Sequence, residues 1–249
     1  MRHDERDVVS TAQMSSAAGA WKTAITITDR HQQLFSRLSG DVNDEHIREG
    51  VGQSPLVFGG LTALWLCGEA LTHIPLRRGR CEVIFVSPIG LDAPYTIVTT
   101  ATALQVRATL RAEHHDAVIL TLRATREGGD EPERHVADGP ISTSVSGDYR
   151  TDRGAMAALC KMVDVLTRVP PDFVATMALA SYVLGMRLPA LGRFAGCECS
   201  FDVDRQVSAG IDYSADVRLV AGRRATVTLI TSAGHVVLHL RRRDQTASS

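Results

Sequence analysis

Residues 54–73 read SPLVFGGLTALWLCGEALTH, and this stretch decides the fold. Ser54 can cap a helix whose first residue is Pro55, where the missing proline N–H costs nothing. No polar stripe interrupts the segment, so the helix cannot lie on a surface and has to be wrapped by other structure. The chain that follows supplies the wrapping. After RRGR at 77–80 come CEVIFVSP, YTIVTTATALQVRATLR and AVILTLRATRE, long runs rich in Val, Ile and Thr, separated by the turn-prone PIGLDAP and EHHD. They predict strands of an antiparallel sheet. Upstream, TAITITD at 23–29 predicts a short strand, and HQQLFSRLSGD a short helix or turn that stops at Gly40.

The pattern then recurs. DFVATMALASYVLGMRLP at 172–189 is a second apolar helix, and GRFAGCECSFD follows it as GRCEVIFV follows the first. Cys81–Phe85 map on Cys197–Phe201 at an offset of 116, and VILTLR at 118–123 maps on VVLHLR at 236–241 at an offset of 118. Two landmarks at nearly one offset indicate an internal duplication, with a period too long for a solenoid. ATVTLIT and HVVLHLR, meeting around 232–234, predict a closing hairpin. A sheet curled round a central helix satisfies both patterns, because the sheet buries one face and the helix is buried all round. The expected fold class is α+β, a double hotdog of two modules, each a central helix wrapped by a curled antiparallel sheet. Its expected parts are a mobile tail at 1–19, a first module at 20–126, a linker at 127–150, a second module at 151–243 and a tail at 244–249. Two fused modules already form the unit that single hotdogs reach by dimerising, so the expected state is a monomer (a pseudo-dimer) or a homodimer.

With 27 basic and 28 acidic residues the net charge is -1, which leaves no global field to recruit nucleic acid or an anionic membrane. The first residues, MRHDERDVVSTAQ, are too polar for a secretory signal, and no apolar run reaches the roughly 18 residues of a membrane span. Five cysteines without a disulfide-framework spacing fit free thiols. The expectation is a cytoplasmic protein. Cys197 and Cys199 alternate on one strand face and read as buried thiols rather than a metal site. His114 and His115 sit in a turn and His135 in the linker, so no metal site is expected.

The candidate chemistry lies just before the first helix, in FSRLSGDVNDEHIREGVGQSPLVFGG at 35–60. Asp41 and His46 form a possible acid/base pair in a polar loop that leads to a glycine pair at the head of the helix. Gly59 and Gly60 can bring backbone N–H groups to a carbonyl oxygen without a side chain in the way, and the helix N-terminus adds favourable partial charge. Adding water to a 2-enoyl thioester needs a base for water, an acid for the α-carbon and donors for the enolate oxygen. Read alone, SGDVNDEH also fits a polar turn whose Ser39, Asp41 and Asn43 satisfy backbone amides.

FSRLSGDVNDEH also resembles the F..LSGD.NP.H signature of the MaoC-like (R)-specific enoyl-CoA hydratases and dehydratases, and LVFGGL resembles the (I/V)VHG(M/L)L that follows it. The resemblance implies a hotdog fold, an acyl-CoA or acyl-carrier-protein thioester as substrate, and neither metal nor redox cofactor. It places the catalytic pair on Asp41 and His46, the family asparagine on Asn43, the helix-start glycine on Gly59 and a polar helix residue on Cys67. The chain departs from the pattern at Asp44, where the family has proline, and at Phe58, where it has histidine. A second SGD at Ser146–Asp148 is followed five residues on by Arg153, so the second module is read as the degenerate half, lacking the base. Arg77, Arg78 and Arg80 are candidates to grip phosphopantetheine or an acidic carrier protein. The expected activity is (R)-specific enoyl-thioester hydration or 3-hydroxyacyl-thioester dehydration in fatty acid metabolism. Alternatives on the same fold are a polyketide or secondary-metabolite dehydratase, isomerase or cyclase, a thioesterase, or a non-catalytic acyl-binding protein.

Overall fold

The computed structural model describes residues 20–43, 46, 55–113, 115–125, 140–205, 207–208, 210–220, 224–231 and 234–241. The predicted tails, Ser54, Asp44, His114, His135 and most of the predicted linker lie outside these residues. The first half runs through strand β1 (Ala20–Thr26), helix α1 (Asp29–Ser39), helix α2 (Gly59–His73) and strands β2 (Arg78–Phe85), β3 (Pro94–Ala101), β4 (Gln105–Arg111) and β5 (Asp116–Ala124). The second runs through β6 (Ile141–Arg150), helix α3 (Arg153–Met162), a 3₁₀ turn at Asp164–Arg168, helix α4 (Pro171–Tyr182) and a π turn at Val183–Arg187. It ends with β7 (Arg193–Asp202), β8 (Gly210–Val220), β9 (Arg224–Thr231) and β10 (Gly234–Arg241).

All ten strands form one antiparallel sheet in the order β1-β3-β4-β5-β2-β7-β10-β9-β8-β6. The same order thus occurs twice, and the two copies meet where β2 pairs with β7. In that junction Cys81 faces Cys199 and Val83 faces Cys197, all four buried, while Glu82 faces Glu198. Glu82 and Glu198 are themselves 116 residues apart, so a local pseudo-twofold axis passes between them. Two carboxylates directly opposite would repel. Each has a cationic or protonatable neighbour, Arg123 at 3.5 Å from Glu82 and His239 at 3.1 Å from Glu198.

Helix α2 is enclosed as its sequence demands: every residue from Gly60 to Leu71 is buried. Leu61, Leu64 and Leu66 have no exposure at all, and each such side chain contributes about 1.5–3 kcal/mol by leaving water. Helix α4 repeats the arrangement with Phe173 and Met177 fully buried. Alternation works in the strands as expected, with Val106, Ala108 and Leu110 of β4 inward. Strands β9 and β10 pair as the predicted hairpin, and all five cysteines are free. No helix among the described residues is long and apolar enough to cross a membrane.

Four expectations need correction. First, the helix predicted from Pro55 starts at Gly59. The N–H of Val57 is taken by the carbonyl of Ile89 at 2.9 Å and that of Phe58 by the Gln32 side chain at 3.1 Å, so the segment stays extended. Second, residues 141–150 are not linker but strand β6. It is an edge strand on which only Tyr149 is buried, so its sequence shows no alternation. Third, Ser146–Asp148 lie inside β6, paired with Ser214–Asp212, and do not correspond to the turn at Ser39–Asp41. The place matching that turn follows α3, at Met162–Asp164. Fourth, Cys81 faces Leu122 while Cys197 faces Leu238, so β5 and β10 correspond at 116, two residues from the sequence match.

The two central helices and the 3₁₀ turn are packed backbone to backbone. A Cβ on Gly68, at mid-α2, would lie 2.5 Å from the Val165 carbonyl oxygen, which is main chain and cannot swing aside. We expect Gly68→Ala to destabilise the protein by about 1–3 kcal/mol. Thermal melting checks this, at about 2–4 °C per kcal/mol for a chain of this size; an unchanged midpoint would contradict the packing described.

Candidate active site

Helix α1 ends in a glycine stop. Gly40 has φ 70° and ψ 9°, and its N–H donates to the Ser36 carbonyl at 2.7 Å. The serines complete the turn: Ser39 Oγ donates to the Phe35 carbonyl at 2.9 Å and accepts from the Asp41 N–H at 3.2 Å, and Ser36 Oγ donates to the Asp41 carbonyl at 2.6 Å. The polar-turn reading is therefore correct for the serines. It does not exhaust Asp41, whose carboxyl accepts, among the described residues, the Asn43 N–H at 2.9 Å. Asp41 as a whole is 3% exposed. Burial disfavours its charged form and pushes its pKa up to about 6, against a smaller lowering by the Asn43 hydrogen bond.

His46 is held from two sides. Its Nδ1 lies 2.8 Å from the Leu56 carbonyl, and its ring packs on Phe58 with centroids 4.1 Å apart. A carbonyl oxygen only accepts, so Nδ1 carries the hydrogen and Nε2 of the neutral ring carries the lone pair. Behind it, Gln32 on α1 is buried and acts as a clamp. Its amide nitrogen donates to the carbonyls of His46 at 2.8 Å and Leu56 at 2.6 Å, while its oxygen accepts from Phe58 N–H at 3.1 Å. One side chain so ties α1, the His46 backbone and the entry to α2 together.

These elements open on a cavity of about 300 Å³ between the halves. Asp41, Asn43, His46, Gly59 and Phe85 line it from the first half, and Ser181, Gly185, Arg193, Phe194 and Arg241 from the second. Gly59 begins α2, whose first-turn N–H groups have no intrahelical acceptor. A Cβ there would lie 2.7 Å from the Phe194 ring and 3.1 Å from that of Phe85, so any larger residue has to displace Phe194. Those two rings face each other at 4.9 Å and make the apolar wall.

Of the residues predicted to form the site, Asp41, Asn43, His46 and Gly59 converge on the cavity. Gly60 does not line it and packs against Phe35, Ser181 and the Met177 carbonyl, the nearest at 2.6 Å from a notional Cβ. Cys67 is also outside it, fully buried in α2 with its thiol pushed well above the ordinary range by desolvation. Arg77, Arg78 and Arg80 stand at the far end of β2 from Phe85, some seven residues or roughly 20 Å away. Arg77 is bound to Asp204 at 2.6 Å and Arg78 to Asp202 at 2.9 Å. Arg193 was missed although it lies 116 residues after Arg77, and the duplication offset was the signal that finds it. Ser181 and Gly185 carry no such signal; only the fold brings α4 to the cavity. Among the described residues no cluster of three His, Cys, Asp or Glu could hold a metal ion.

No known family model and no curated protein matches the chain by sequence. Among solved structures, a MaoC-like dehydratase superposes with a TM-score of 0.63 at 11% identity, over 91% of this chain and 98% of its own. A MaoC-like dehydratase from Phytophthora capsici gives 0.59 at 10% identity, over 91% and 97%. The full-length peroxisomal multifunctional enzyme type 2 from Drosophila melanogaster gives 0.56 at 11% identity, over 90% of this chain and 48% of that enzyme. The chain has the hotdog fold of these proteins.

The buried Asp41 carboxyl has a thermodynamic signature. Between about pH 4 and 6 the folded protein keeps a proton that the unfolded chain has released, so stability falls as pH rises through that window. Above it the full cost is about 3 kcal/mol. We expect Asp41→Asn to melt several degrees above the wild type at pH 8 and level with it at pH 4. Equal melting at both pH values would mean that the carboxyl is not desolvated.

Proposed function

We propose that the chain is a hydro-lyase acting on acyl thioesters, an (R)-specific 2-enoyl-thioester hydratase or 3-hydroxyacyl-thioester dehydratase. The observation that carries this reading is the convergence of Asp41, His46 and the first turn of α2 on one largely apolar cavity between the halves. The preference for the (R) face comes from the sequence resemblance alone. In the hydration direction, His46 Nε2 takes a proton from water as the oxygen bonds to the β-carbon. The double-bond electrons move onto the thioester oxygen, where the Gly59 N–H and the helix N-terminus stabilise the enolate. Asp41, protonated in part near neutral pH, delivers a proton to the α-carbon, and the enolate electrons return to form that C–H bond. The proton on His46 returns to Asp41 through solvent, and dehydration is the reverse. A non-catalytic acyl-binding role fits less well, because the cavity reaches all three groups and His46 is only partly buried.

The test is the loss of conjugated-thioester absorbance on incubation with crotonyl-CoA or a carrier-bound enoyl chain. His46→Ala and Asp41→Asn should each lower kcat by about 100-fold or more. Wild-type rates in both variants would remove the pair from the mechanism, and release of free thiol without hydration would make the protein a thioesterase. Turnover of one elaborate polyketide-like chain, with inactivity on simple enoyl thioesters, would favour the specialised dehydratase, isomerase or cyclase.

The substrate's handle is assigned to Arg193 and Arg241, which face each other on β7 and β10 at the cavity. Like charges directly opposite are unfavourable unless an anion lies between them. Arg77, the pseudo-symmetric counterpart of Arg193, is neutralised by Asp204; at the position matching Asp204 the first half has Pro88. A phosphate of coenzyme A or of a carrier's phosphopantetheine fits this place. Arg193→Ala and Arg241→Ala should raise KM for a CoA thioester about tenfold while leaving KM for a pantetheine thioester without phosphate unchanged. Equal effects on both substrates would assign the arginines a structural role.

A further inference from the structure

Helix α4 does not end as an ordinary helix. After Tyr182 it widens into the π turn Val183–Arg187, closed by Leu188 N–H donating to the Val183 carbonyl at 2.9 Å. A π turn carries one residue more than an α turn and is frequently found at functional sites. Here the extra residue brings Gly185 face to face with the Asp41 carboxyl. A Cβ on Gly185 would overlap Oδ1 and Cγ of Asp41 and lie 2.5 Å from Oδ2. Two further residues of the second half hold the same turn: Tyr149 Oη donates to the Leu38 carbonyl at 2.9 Å, and the Tyr182 ring lies 3.6 Å from a notional Cβ on Gly40. The second half so clasps residues 38–41 of the first from three sides.

We propose that the π turn is a built part of the active site and that Gly185 is a positioning residue for Asp41. Lacking a side chain, it lets the second half close on the carboxyl, pins its rotamer and keeps bulk water from its covered face. The open face meets the cavity, since both Asp41 and Gly185 line it. The inference rests on the catalytic reading of Asp41. The titratable groups around the carboxyl are His46 in the cavity wall and the phenols of Tyr149 and Tyr182 behind the turn, and Arg187 at the end of the π turn is exposed. Among the described residues no charged side chain contributes to the shift of Asp41, which comes from burial. A side chain at 185 would push the carboxyl toward the cavity and its water.

The test is Gly185→Ala read in two independent ways. In the carbon-13 carboxyl titration of Asp41, the wild-type midpoint near 6 should fall by about one unit in the variant. With a thioester substrate, kcat/KM should fall about 30-fold or more, and the pH limb belonging to Asp41 should shift by the same amount. A folded Gly185→Ala protein with an unmoved midpoint and wild-type rates overturns the proposal. Stability supplies the second arm and covers a variant that fails to fold. Gly185→Ala should be strongly destabilising in the wild type and nearly neutral in an Asp41→Ala background, where the space is empty. Equal destabilisation in both backgrounds also overturns it. If no thioester is turned over by the wild type but the titration midpoint and the stability coupling behave as expected, the positioning stands and the catalytic reading fails.

Discussion

A helix without a polar face has to be enclosed on every side, and that single constraint organises this protein. Five strands curl round α2 and five round α4, but neither half-sheet closes on itself. Each ends in two edge strands, and the pairing of β2 with β7 covers one edge of each, leaving β1 and β6 at the ends of the joined sheet. The junction also brings the start of α2 up against the opposite half: its N-terminal turn, whose donors have no intrahelical acceptor, meets Phe194, Ser181 and the Met177 carbonyl as well as Phe85 of its own sheet. A cavity carrying a few polar groups at that boundary costs less than one inside either half, because the core of each can remain apolar.

The duplication allows the same positions to be compared in two uses. At the second half's version of the site, Arg77 and Arg78 are zipped to Asp204 and Asp202, and Arg205 reaches buried Asp172 at 3.5 Å. At the first half's version, the positions matching Arg78, Asp202 and Asp204 hold Phe194, Val86 and Pro88, all lining the cavity. Phe85 and Phe201 correspond in the two halves, so one ring of the apolar wall is common, while the other, Phe194, is matched by the ion-paired Arg78. Exposed ion pairs of this kind add at most about 1 kcal/mol each. Their consequence is mainly steric and electrostatic: one mouth is filled by internal partners and the other is left open with its arginines in place.

The elements legible in the sequence were those whose burial is uniform or strictly alternating. All-round apolarity marked α2 and α4, and runs of β-branched and alternating residues marked β2 to β5, β7, β9 and β10, while β8 was not read. Asp41, Asn43, His46 and Gly59 were legible because they lie in one local motif. The misses share a cause, since each depends on contacts remote in sequence. Strand β6 is exposed on both faces except at Tyr149 and has no period to read. The start of α2 is set by Gln32 and Ile89, which take the amides that a helix beginning at Pro55 would have left to its own turn. Gly185 is unremarkable in VLGMR until the fold lays Asp41 on it.

The buried carboxyl explains why the motif alone is insufficient. A turn of composition SGD in water would leave its aspartate ionised near its ordinary pKa, fit to cap amides and poor at giving up a proton at neutral pH. Raising that value to about 6 requires removing water from the carboxyl without supplying a compensating cation. The first half alone cannot do this, since α1 ends at the turn and leaves one side of Asp41 uncovered. Tyr149, Tyr182 and Gly185 of the second half supply the cover, and they come from an edge strand, a helix end and a π turn that carry no acid or base chemistry themselves. The cost of about 3 kcal/mol is borne by the burial of α2 and α4, several of whose side chains each contribute a comparable amount. The desolvation of Asp41 is thus shared between the two halves.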